Sequence, residues 1–183
     1  MDFPELLTER LRLRPFRESD LPVFAAYRCD KALCRYQSWD TFDDAQVQNF
    51  WQQQKALPFG QLGSWYQIAI AERASDRMLG DCAVHFLAAD EVELGFTLPF
   101  ALQGKGYMTE ALTGLREQLG KQLGIRSLLA YTDLRNTPSQ RLLERLGFIR
   151  ERVIERAGFY KGEWCDDALY RWPATSAAEP EHP

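Results

Sequence analysis

Residues 98–110 read LPFALQGKGYMTE, and this stretch decides the fold because it takes a strand through a glycine loop into a helix. Gly104 and Gly106 remove side chains where the backbone would have to approach a ligand closely. The free amides at the start of the following helix form a site for anionic groups. Lys105 adds a positive charge and the Thr109 hydroxyl a hydrogen-bond donor. The stretch therefore predicts a phosphate-binding turn at the head of an amphipathic helix.

This loop matches neither of the common nucleotide-binding fingerprints. Position 109 is Thr where the dinucleotide pattern has its third glycine, and no Gly-Lys-Ser/Thr follows four residues after a glycine. Without a second motif, a Gly-x-Gly turn before a helix is an ordinary connection.

The second motif lies about thirty residues later, where residues 136–148 read NTPSQRLLERLGF. Together the two motifs resemble the GNAT superfamily of acetyl-CoA-dependent N-acetyltransferases, whose loop is Gln/Arg-x-x-Gly-x-Gly/Ala and whose later motif is Asn-x-x-Ser/Ala ending in Gly-Phe. The strand LRLR at 11–14, ELGF at 93–96 and GEW at 162–164 look like the RimJ/RimL branch, best known for acetylating N-termini of ribosomal proteins. The resemblance spans about Leu11 to Trp172.

Two positions depart from the family pattern. Ala101 stands where much of the superfamily has Gln or Arg, so a side-chain contact is absent there. Leu143 stands where many members place a tyrosine thought to protonate the leaving thiolate. A tyrosine acid is therefore not available at that place.

The resemblance implies a site for acetyl-CoA as co-substrate. Loop amides would bind the pyrophosphate, and the strand before the loop would splay from its neighbour and offer main-chain groups to the pantetheine arm and the thioester carbonyl. Asn136 would also bond the pantetheine. The implied cofactor-binding residues are Phe96, Thr97, Leu98, Gln103, Gly104, Lys105, Gly106, Tyr107, Met108, Thr109 and Asn136.

Two residues are candidates for the chemistry. Ser139, one turn into its helix, would donate a hydrogen bond or a proton to the departing thiolate, although a first-turn serine also serves simply as a cap. Glu93 is the candidate base, because strand alternation can aim it at the cleft, and its alternative role is a solvated carboxylate. An α-amine titrates near ~7.7–8.0 and a lysine near ~10.4, so a single modest carboxylate suits an N-terminal amine.

Aromatic residues supply the candidate acceptor wall. Tyr36 and Trp39 lie around the first two predicted helices, and Trp39, in a polar stretch, is expected to be exposed. Trp51 is expected to pack in the core. Cys82 and Cys165 lie inside strand patterns and are expected to be inert core thiols.

Composition narrows the class. The 183 residues are 45% hydrophobic and carry a formal net charge of −4, which argues against a broad nucleic-acid-binding face. No apolar run approaches the ~18 residues of a membrane span, and the first ten residues lack the apolar segment of a signal peptide. Four scattered cysteines and two histidines show no zinc-ligand spacing. We expect a cytoplasmic protein with no metal, nucleic-acid or membrane partner; the oligomeric state, a homodimer included, stays open.

Periodicity predicts one α+β domain over 1–172, a mixed, mostly antiparallel sheet of about seven strands flanked by about four helices, and a disordered tail over 173–183. Predicted strands cover 11–16, 65–71, 78–86, 91–98, 127–133, 150–156 and 164–172, with the last hairpin turning over 158–162. The first predicted helix begins at Ser19-Asp20 and ends at about Arg28. The second begins at a capping box whose first residue is Thr41 and ends at about Lys55. The third covers 107–123, and the fourth runs from Thr137 to Leu146.

The implied reaction is acetyl transfer from the thioester to a primary amine, with a protein N-terminal α-amine as the leading acceptor. A small-molecule acceptor, such as a polyamine or an aminoglycoside, is the first alternative, since a net charge of −4 suits any cation. A non-catalytic acyl-CoA-binding module is the second.

Overall fold

The three strands predicted between residues 65 and 98 form an antiparallel meander at the centre of the sheet. In the computed structural model, which describes residues 3–37 and 39–173, the strands are β1 (Leu6–Leu7), β2 (Leu11–Pro15), β3 (Trp65–Glu72), β4 (Met78–Phe86), β5 (Glu91–Thr97), β6 (Ser127–Asp133), β7 (Ile149–Tyr160) and β8 (Glu163–Pro173). The α-helices are α1 (Leu21–Arg28), α2 (Lys31–Cys34), α3 (Asp44–Gln54), α4 (Tyr107–Leu123) and α5 (Thr137–Arg145). These eight strands form one sheet in the order β1-β2-β3-β4-β5-β6-β8-β7.

Helices cover both faces of this sheet, and the alternation of β3 shows how. Ile68 and Ile70 point into a large core that also contains buried residues of α4 and α5. Ala69, between them, points into a smaller core with Phe24 of α1 and Val47 of α3. Successive strand residues face opposite sides of a sheet, so a strand buried on both faces is apolar throughout. The predicted α+β class is confirmed.

The pairing of β5 with β6 is the one parallel contact among the described strands, and it is short. It joins Glu91, Val92 and Glu93 to residues 127–129 and goes no further. Beyond it, β5 stays paired with β4 as far as Thr97, and β6 stays paired with β8 as far as Asp133. Each strand is thus held on its outer side while the two separate, which opens the sheet along residues 94–97.

Helix α4 follows the predicted boundaries because both ends carry a glycine in the left-handed region. Gly106 caps its start with φ 81° and Gly124 its end with φ 67°. Between them Ala111, Leu112 and Leu115 form the buried stripe. The helix therefore lies across the open sheet with its amino end at the separation of β5 and β6.

Sequence periodicity missed the two shortest elements and misplaced one cap. The two-residue β1 and the four-residue α2 are too short for periodicity to detect, which raises the counts from about seven strands and four helices to eight and five in the described part. The capping box of α3 begins at Asp43, which accepts from the amide of Gln46, and not at Thr41. In return, the Gln46 side chain accepts from the Asp43 amide. A box that began at Thr41 would have needed Asp44 in that role.

The last hairpin is longer and tighter than predicted. Strand β7 continues to Tyr160, which pairs with Glu163, and the turn consists of Lys161 and Gly162, both with positive φ. The pairing of β7 with β8 shifts register between Ile154 and Gly158, where Arg156 has φ 50°. Gly158 therefore lies within the strand and not in the turn predicted over 158–162.

The predicted boundary at the carboxyl end differs slightly from the structure. Pro173, placed in the predicted tail, is the last residue of β8, and residues 174–183 lie outside the described residues. Within the described ranges no helix has the length and apolarity needed to cross a bilayer.

Candidate active site

Two cavities meet where β5 and β6 separate. The loop cavity, about 630 Å³, lies against the glycine loop and the start of α5, and the strand cavity, about 610 Å³, extends towards α1 and the tip of the β7–β8 hairpin. Residues lining both are Tyr36, Gln37, Phe96, Thr97, Asn136 and Ser139. The two spaces therefore form a continuous passage through the opening of the sheet.

The loop cavity brings together nearly all the predicted cofactor residues. Those that line it are Phe96, Thr97, Leu98, Gln103, Gly104, Gly106, Tyr107, Met108, Thr109 and Asn136. Lys105 is not among them, since its side chain is exposed and its residue lies outside the cavity wall. A lysine charge at that point would act on a ligand from the rim.

The loop geometry fits a phosphate group. Gly104 and Gly106 have φ of 72° and 81°, and nothing lies within 4 Å of a Cβ built on Gly104. Gln103 does not reach into the cavity freely, because its Nε2 donates to the carbonyl of Leu98 over 2.7 Å and closes the loop on the end of β5. The amides that follow Gly106 have no helical partner and point along the α4 axis.

Two arginines that sequence analysis did not single out complete the cationic rim. Arg141 and Arg145, one turn apart on α5, both line the loop cavity. Neither has an ion-pair partner among residues 3–37 and 39–173. Their i, i+4 spacing was the available signal. The cavity thus offers two free guanidinium groups to a polyanion, and its residues fit a nucleotide phosphate tail.

Asn136 and Ser139 lie at the junction of the cavities, at the start of α5. The Asn136 Oδ1 accepts from the Ser139 amide over 3.4 Å and caps the helix, so its carbonyl oxygen is engaged while its amide nitrogen is not. The Ser139 hydroxyl has no hydrogen-bond partner in the described part of the chain. Asn136 is the residue that caps α5, and Ser139 only donates its amide to that cap. The Ser139 hydroxyl therefore remains free to donate.

Glu93 lines the strand cavity from the last position of β5 that pairs with β6. Burial raises the pKa of its carboxyl above the ordinary value, and the hydrogen bond from His85 opposes the rise without cancelling it. His85 Nδ1 lies 3.4 Å from the carboxylate, and its ring stacks on Trp65 at 4.9 Å between centroids. A carboxylate with a raised pKa and one weak partner is a better proton acceptor than an ordinary surface glutamate.

The far wall of the strand cavity contains a buried polar cluster. Asp81 is 1% exposed and accepts hydrogen bonds from Tyr27 Oη, Gln67 Nε2 and, at 3.3 Å, Arg28 Nη2. Burial, followed by the charge of Asp81, raises the pKa of Tyr27 well above 10, so the phenol stays protonated and donates. The Asp81 carboxylate is therefore fully engaged by its neighbours.

Arg28 is the member of this cluster with spare hydrogen-bonding capacity. Its guanidinium is 4.0 Å from the ring centroid of Trp39 and 4.8 Å from that of Phe24. Nη2 is the only one of its three nitrogens with a hydrogen bond in the described structure, and Nε is buried with no partner. Trp39, expected to be exposed, is half-buried because it covers this cation, and it lines the strand cavity as predicted for an acceptor residue.

A second group of carboxylates lines the side of the strand cavity next to Glu93. Burial raises the pKa of Asp167, and the charge of Asp133 on the paired strand adds to it. Asp133 is held by Arg135, whose hydrogen bonds lower its pKa in spite of burial. Asp167 has no side-chain partner in the described part. This side of the cavity therefore favours a cation.

The other residues singled out from sequence are placed as follows. Tyr36 lines both cavities, and Trp51 packs against the smaller core as predicted. Cys82 is buried in the larger core, as predicted, whereas the buried Cys165 belongs to neither core and lines the strand cavity beside Arg135. Burial raises the pKa of both thiols. Pattern reasoning missed Arg28, Gln67 and Asp81, because nothing in their sequence spacing brings α1, β3 and β4 together.

Comparison with known proteins identifies the family. Residues 10–149 match the model of the acetyltransferase (GNAT) domain. The chain is 27% identical over 168 residues to p20 of Bacillus licheniformis, an uncharacterized N-acetyltransferase, covering 90% of this chain and 93% of that protein. The chain belongs to the GNAT family and is an N-acetyltransferase that uses acetyl-CoA as donor.

Two solved structures share the fold. RimL, a ribosomal alpha-N-protein acetyltransferase in complex with coenzyme A, superposes with a TM-score of 0.81 at 20% identity, covering 92% of this chain and 97% of that one. Spermidine N-acetyltransferase from Vibrio cholerae, in complex with coenzyme A and spermine, superposes with a TM-score of 0.78 at 14% identity, covering 91% and 96%. At these identities the likeness concerns the fold and does not choose between the two acceptors.

Proposed function

We propose that this enzyme acetylates the α-amine of a peptide N-terminus, in the manner of the RimJ/RimL branch. The observation that carries the proposal is the spare hydrogen-bonding capacity of Arg28 in the strand cavity, which the carboxylates of Glu93 and Asp167 also line. A peptide terminus presents an ammonium group and, a few atoms away, carbonyl oxygens. One cavity that offers both anionic and cationic groups is complementary to such an acceptor.

The loop cavity holds the donor in this proposal. Amides from Gln103 to Thr109 bind the pyrophosphate, with Arg141 and Arg145 on the opposite rim. The backbone of residues 96–98 faces the opening of the sheet, where alternate peptide groups are free to bond the pantetheine arm and the thioester carbonyl. Asn136 contributes its amide nitrogen. When bound, acetyl-CoA supplies an activated acetyl group at the junction of the two cavities.

Proton transfer is assigned to the residues at this junction. Glu93 accepts a proton from the acceptor ammonium, directly or through one water, and the free amine nitrogen then bonds to the thioester carbon. The carbon–sulfur bond then breaks, and the Ser139 hydroxyl donates its proton to the leaving sulfur and recovers one from the acceptor nitrogen, directly or through water, so that an amide and the coenzyme A thiol result. His85 holds the Glu93 carboxylate in place from the side away from the acceptor.

Recognition of the acceptor follows from the buried cluster. Buried donors in native proteins are almost always hydrogen-bonded, so the buried, unpartnered Nε of Arg28 calls for an oxygen acceptor. Asp81 accepts from Arg28 through Nη2 and makes no hydrogen bond with Nε. A backbone carbonyl or a carboxylate of the acceptor would satisfy the guanidinium. Tyr36 and Trp39 would pack against the side chain of the first residue.

A diamine is the second candidate acceptor, and the carboxylates near Glu93 favour it. Glu93, Asp133 and Asp167 line the same side of the strand cavity, and Asp167 has no cationic partner in the described part. An acceptor with a second ammonium group would pair with Asp167. It would leave Arg28 Nε without an oxygen partner, which distinguishes the two proposals.

A matched acceptor panel tests the assignment. The panel contains a short peptide with a free N-terminus, the corresponding alkylamine without its carbonyl, spermidine and an aminoglycoside, and release of coenzyme A thiol is measured with each. We expect the peptide to have the highest kcat/KM, and Arg28→Met to lower it about tenfold to a hundredfold, as loss of a charge-assisted hydrogen bond would. The alkylamine should respond little to Arg28→Met.

Other outcomes identify the alternatives. Higher kcat/KM with spermidine, reduced by Asp167→Asn and not by Arg28→Met, would assign the enzyme to small polyamines. If calorimetry shows that acetyl-CoA binds but no acceptor in the panel causes release of the thiol, the chain would be a non-catalytic acyl-CoA-binding module. Because Arg28 is buried, calorimetric binding of coenzyme A to Arg28→Met serves as the check that the variant is folded.

A further inference from the structure

Arg10 links the turn between β1 and β2 to the glycine loop, almost one hundred residues away in the sequence. Its Nη1 donates to the carbonyl oxygen of Lys105 over 3.0 Å, and its guanidinium lies 4.6 Å from the ring centroid of Tyr107. Its Nη2 lies 3.3 Å from the position of a Cβ built on Gly106. Arg10 therefore contacts three successive residues at the head of α4.

The hydrogen bond to Lys105 determines which way one peptide group points. In a planar trans peptide the carbonyl and the following N–H point in opposite directions. The structure has no cis peptide among its described residues. Since Arg10 binds the carbonyl of Lys105, the N–H of Gly106 points away from Arg10. Neither Arg10 nor Lys105 lines the loop cavity, whereas Gly104 and Gly106 do. The Gly106 amide thus lies on the face of the loop away from Arg10, at a residue that lines the cavity.

Glu110 holds Arg10 in this position. Its Oε1 accepts from the Arg10 amide over 2.8 Å and from the Thr8 hydroxyl over 2.5 Å, and its Oε2 accepts from Arg10 Nε over 2.7 Å. Glu110 lies on the first turn of α4, immediately beyond the loop. Two of the guanidinium nitrogens of Arg10 are therefore used, one on the carboxylate and one on the loop.

We infer that Arg10 is a positioning residue for acetyl-CoA: it orients the Lys105–Gly106 peptide so that the Gly106 amide faces the phosphates of the donor. The inference rests on the proposed use of the loop cavity by the donor. Arg10 acts through the backbone and not on the acetyl group, so it should affect the affinity for donors that carry phosphates and leave the chemical step alone.

The test compares two donors in Arg10→Gln and Arg10→Lys. The Kd of coenzyme A is measured by calorimetry, and kcat and KM are measured with acetyl-CoA and with S-acetylpantetheine, which has no phosphates. We expect Kd for coenzyme A and KM for acetyl-CoA to rise about tenfold in Arg10→Gln, as for one lost hydrogen bond to a charged ligand. At saturation kcat should be unchanged, and so should KM for S-acetylpantetheine. For Arg10→Lys, the Kd of coenzyme A and the KM of acetyl-CoA should lie between those of wild type and Arg10→Gln, because lysine keeps a charged donor group.

Arg126→Gln is the matched control. Arg126 also pairs with a single carboxylate, that of Asp90, and is also exposed, but its side chain makes no hydrogen bond to the glycine loop. It should leave the affinity for coenzyme A as in wild type. Thermal unfolding of all three variants separates loss of affinity from loss of folded protein.

Two results would overturn the inference: unchanged affinity for coenzyme A in Arg10→Gln, or an equal loss with S-acetylpantetheine, which would indicate a general disturbance of the fold. Failure of the underlying donor-site proposal gives a different pattern. In that case Gly106→Val, a direct change in the loop, would also leave the affinity for coenzyme A unaltered.

Discussion

At the scale of single residues, two glutamates show how surroundings determine chemistry. Glu110 accepts three hydrogen bonds, and these lower its pKa although burial acts in the opposite direction. Glu93 is half-buried, with His85 as its one side-chain partner among the described residues, and burial raises its pKa. Glu110 therefore stays ionised and holds the loop, whereas Glu93 keeps its proton to a higher pH than an ordinary glutamate.

The first prediction concerns Glu93→Gln. Glutamine keeps the shape of the side chain but cannot accept the proton, so kcat/KM should fall about a hundredfold or more, within the range of general-base effects. In wild type, kcat/KM should decrease as the pH falls through the raised pKa of Glu93, at a pH above the ordinary glutamate value of about 4.3. This acid limb of the pH profile should be lost in the variant.

Glu91→Gln is the control for this experiment. Glu91 lies on the same strand but is bound to Arg171 at 2.6 Å and does not line either cavity. The pH profile of kcat/KM for the Glu91→Gln variant should match that of wild type. A Glu93→Gln enzyme that retained both its rate and its acid limb would show that another group accepts the proton.

At the scale of elements, α4 has glycines of the same left-handed conformation at its two ends, and only one of them lines a cavity. A side chain at either position is strained by the positive φ. Gly124 has open space around it, whereas a Cβ on Gly106 would lie 3.3 Å from Arg10 Nη2. Strain and ligand effects can therefore be separated within one helix.

The second prediction uses this pair. Gly106→Ala and Gly124→Ala should each lower the free energy of unfolding by about 1 kcal/mol, because each forces alanine into the left-handed region. Only Gly106→Ala should also weaken the binding of coenzyme A. Denaturant unfolding and calorimetry measure the two effects, and equal affinities in both variants would argue against a ligand at the loop.

At the scale of the whole molecule, the sheet consists of two parts that are joined at its centre by the short β5–β6 contact. The hairpin tip supplies a second connection: Lys161 Nζ donates to the carbonyls of Cys34 and, at 2.8 Å, Gln37, next to α2. Lys161 also lines the strand cavity. The hairpin thereby bridges the cavity and bonds to the helical side of its wall.

The third prediction is that Lys161→Ala raises KM for the acceptor several-fold. The bond to Gln37 is exposed and the bond to Cys34 is only partly buried, so together they should contribute only about 1 kcal/mol to stability, but their loss frees the hairpin tip that confines the acceptor. The Kd of coenzyme A should not change, because the loop cavity does not include Lys161. Lys121→Ala, which removes an exposed lysine paired with Glu117 on α4, is the control. An unchanged acceptor KM would contradict a closing role for the hairpin.

The net charge of the chain and the local charge at the proposed donor site differ in sign. The chain carries a net charge of −4 and yet uses a polyanionic donor. In the proposed donor site, helix-end amides and the two arginines of α5 would meet the phosphates locally, so the overall field need not be positive. The acidic surplus is concentrated in part beside Glu93, where it favours the cationic acceptor.

The sequence by itself determined the features that depend on neighbours along the chain. The bounds of α4 and β6, the meander, and the two motifs at residues 98–110 and 136–148 follow from periodicity, glycine caps and turn chemistry, which act over a few residues. These features were sufficient to predict the fold class and to bring most of the proposed donor site together.

Only the tertiary structure decided which distant groups meet. Arg10 reaches the loop and Arg28 reaches Asp81 because the sheet order places their elements side by side, and no local spacing specifies that. The same holds for the burial that raises the pKa of Glu93 and for the half-buried state of Trp39 over a cation. Hydrogen bonds and desolvation act through space, so the chemistry of these side chains exists only once the chain is folded.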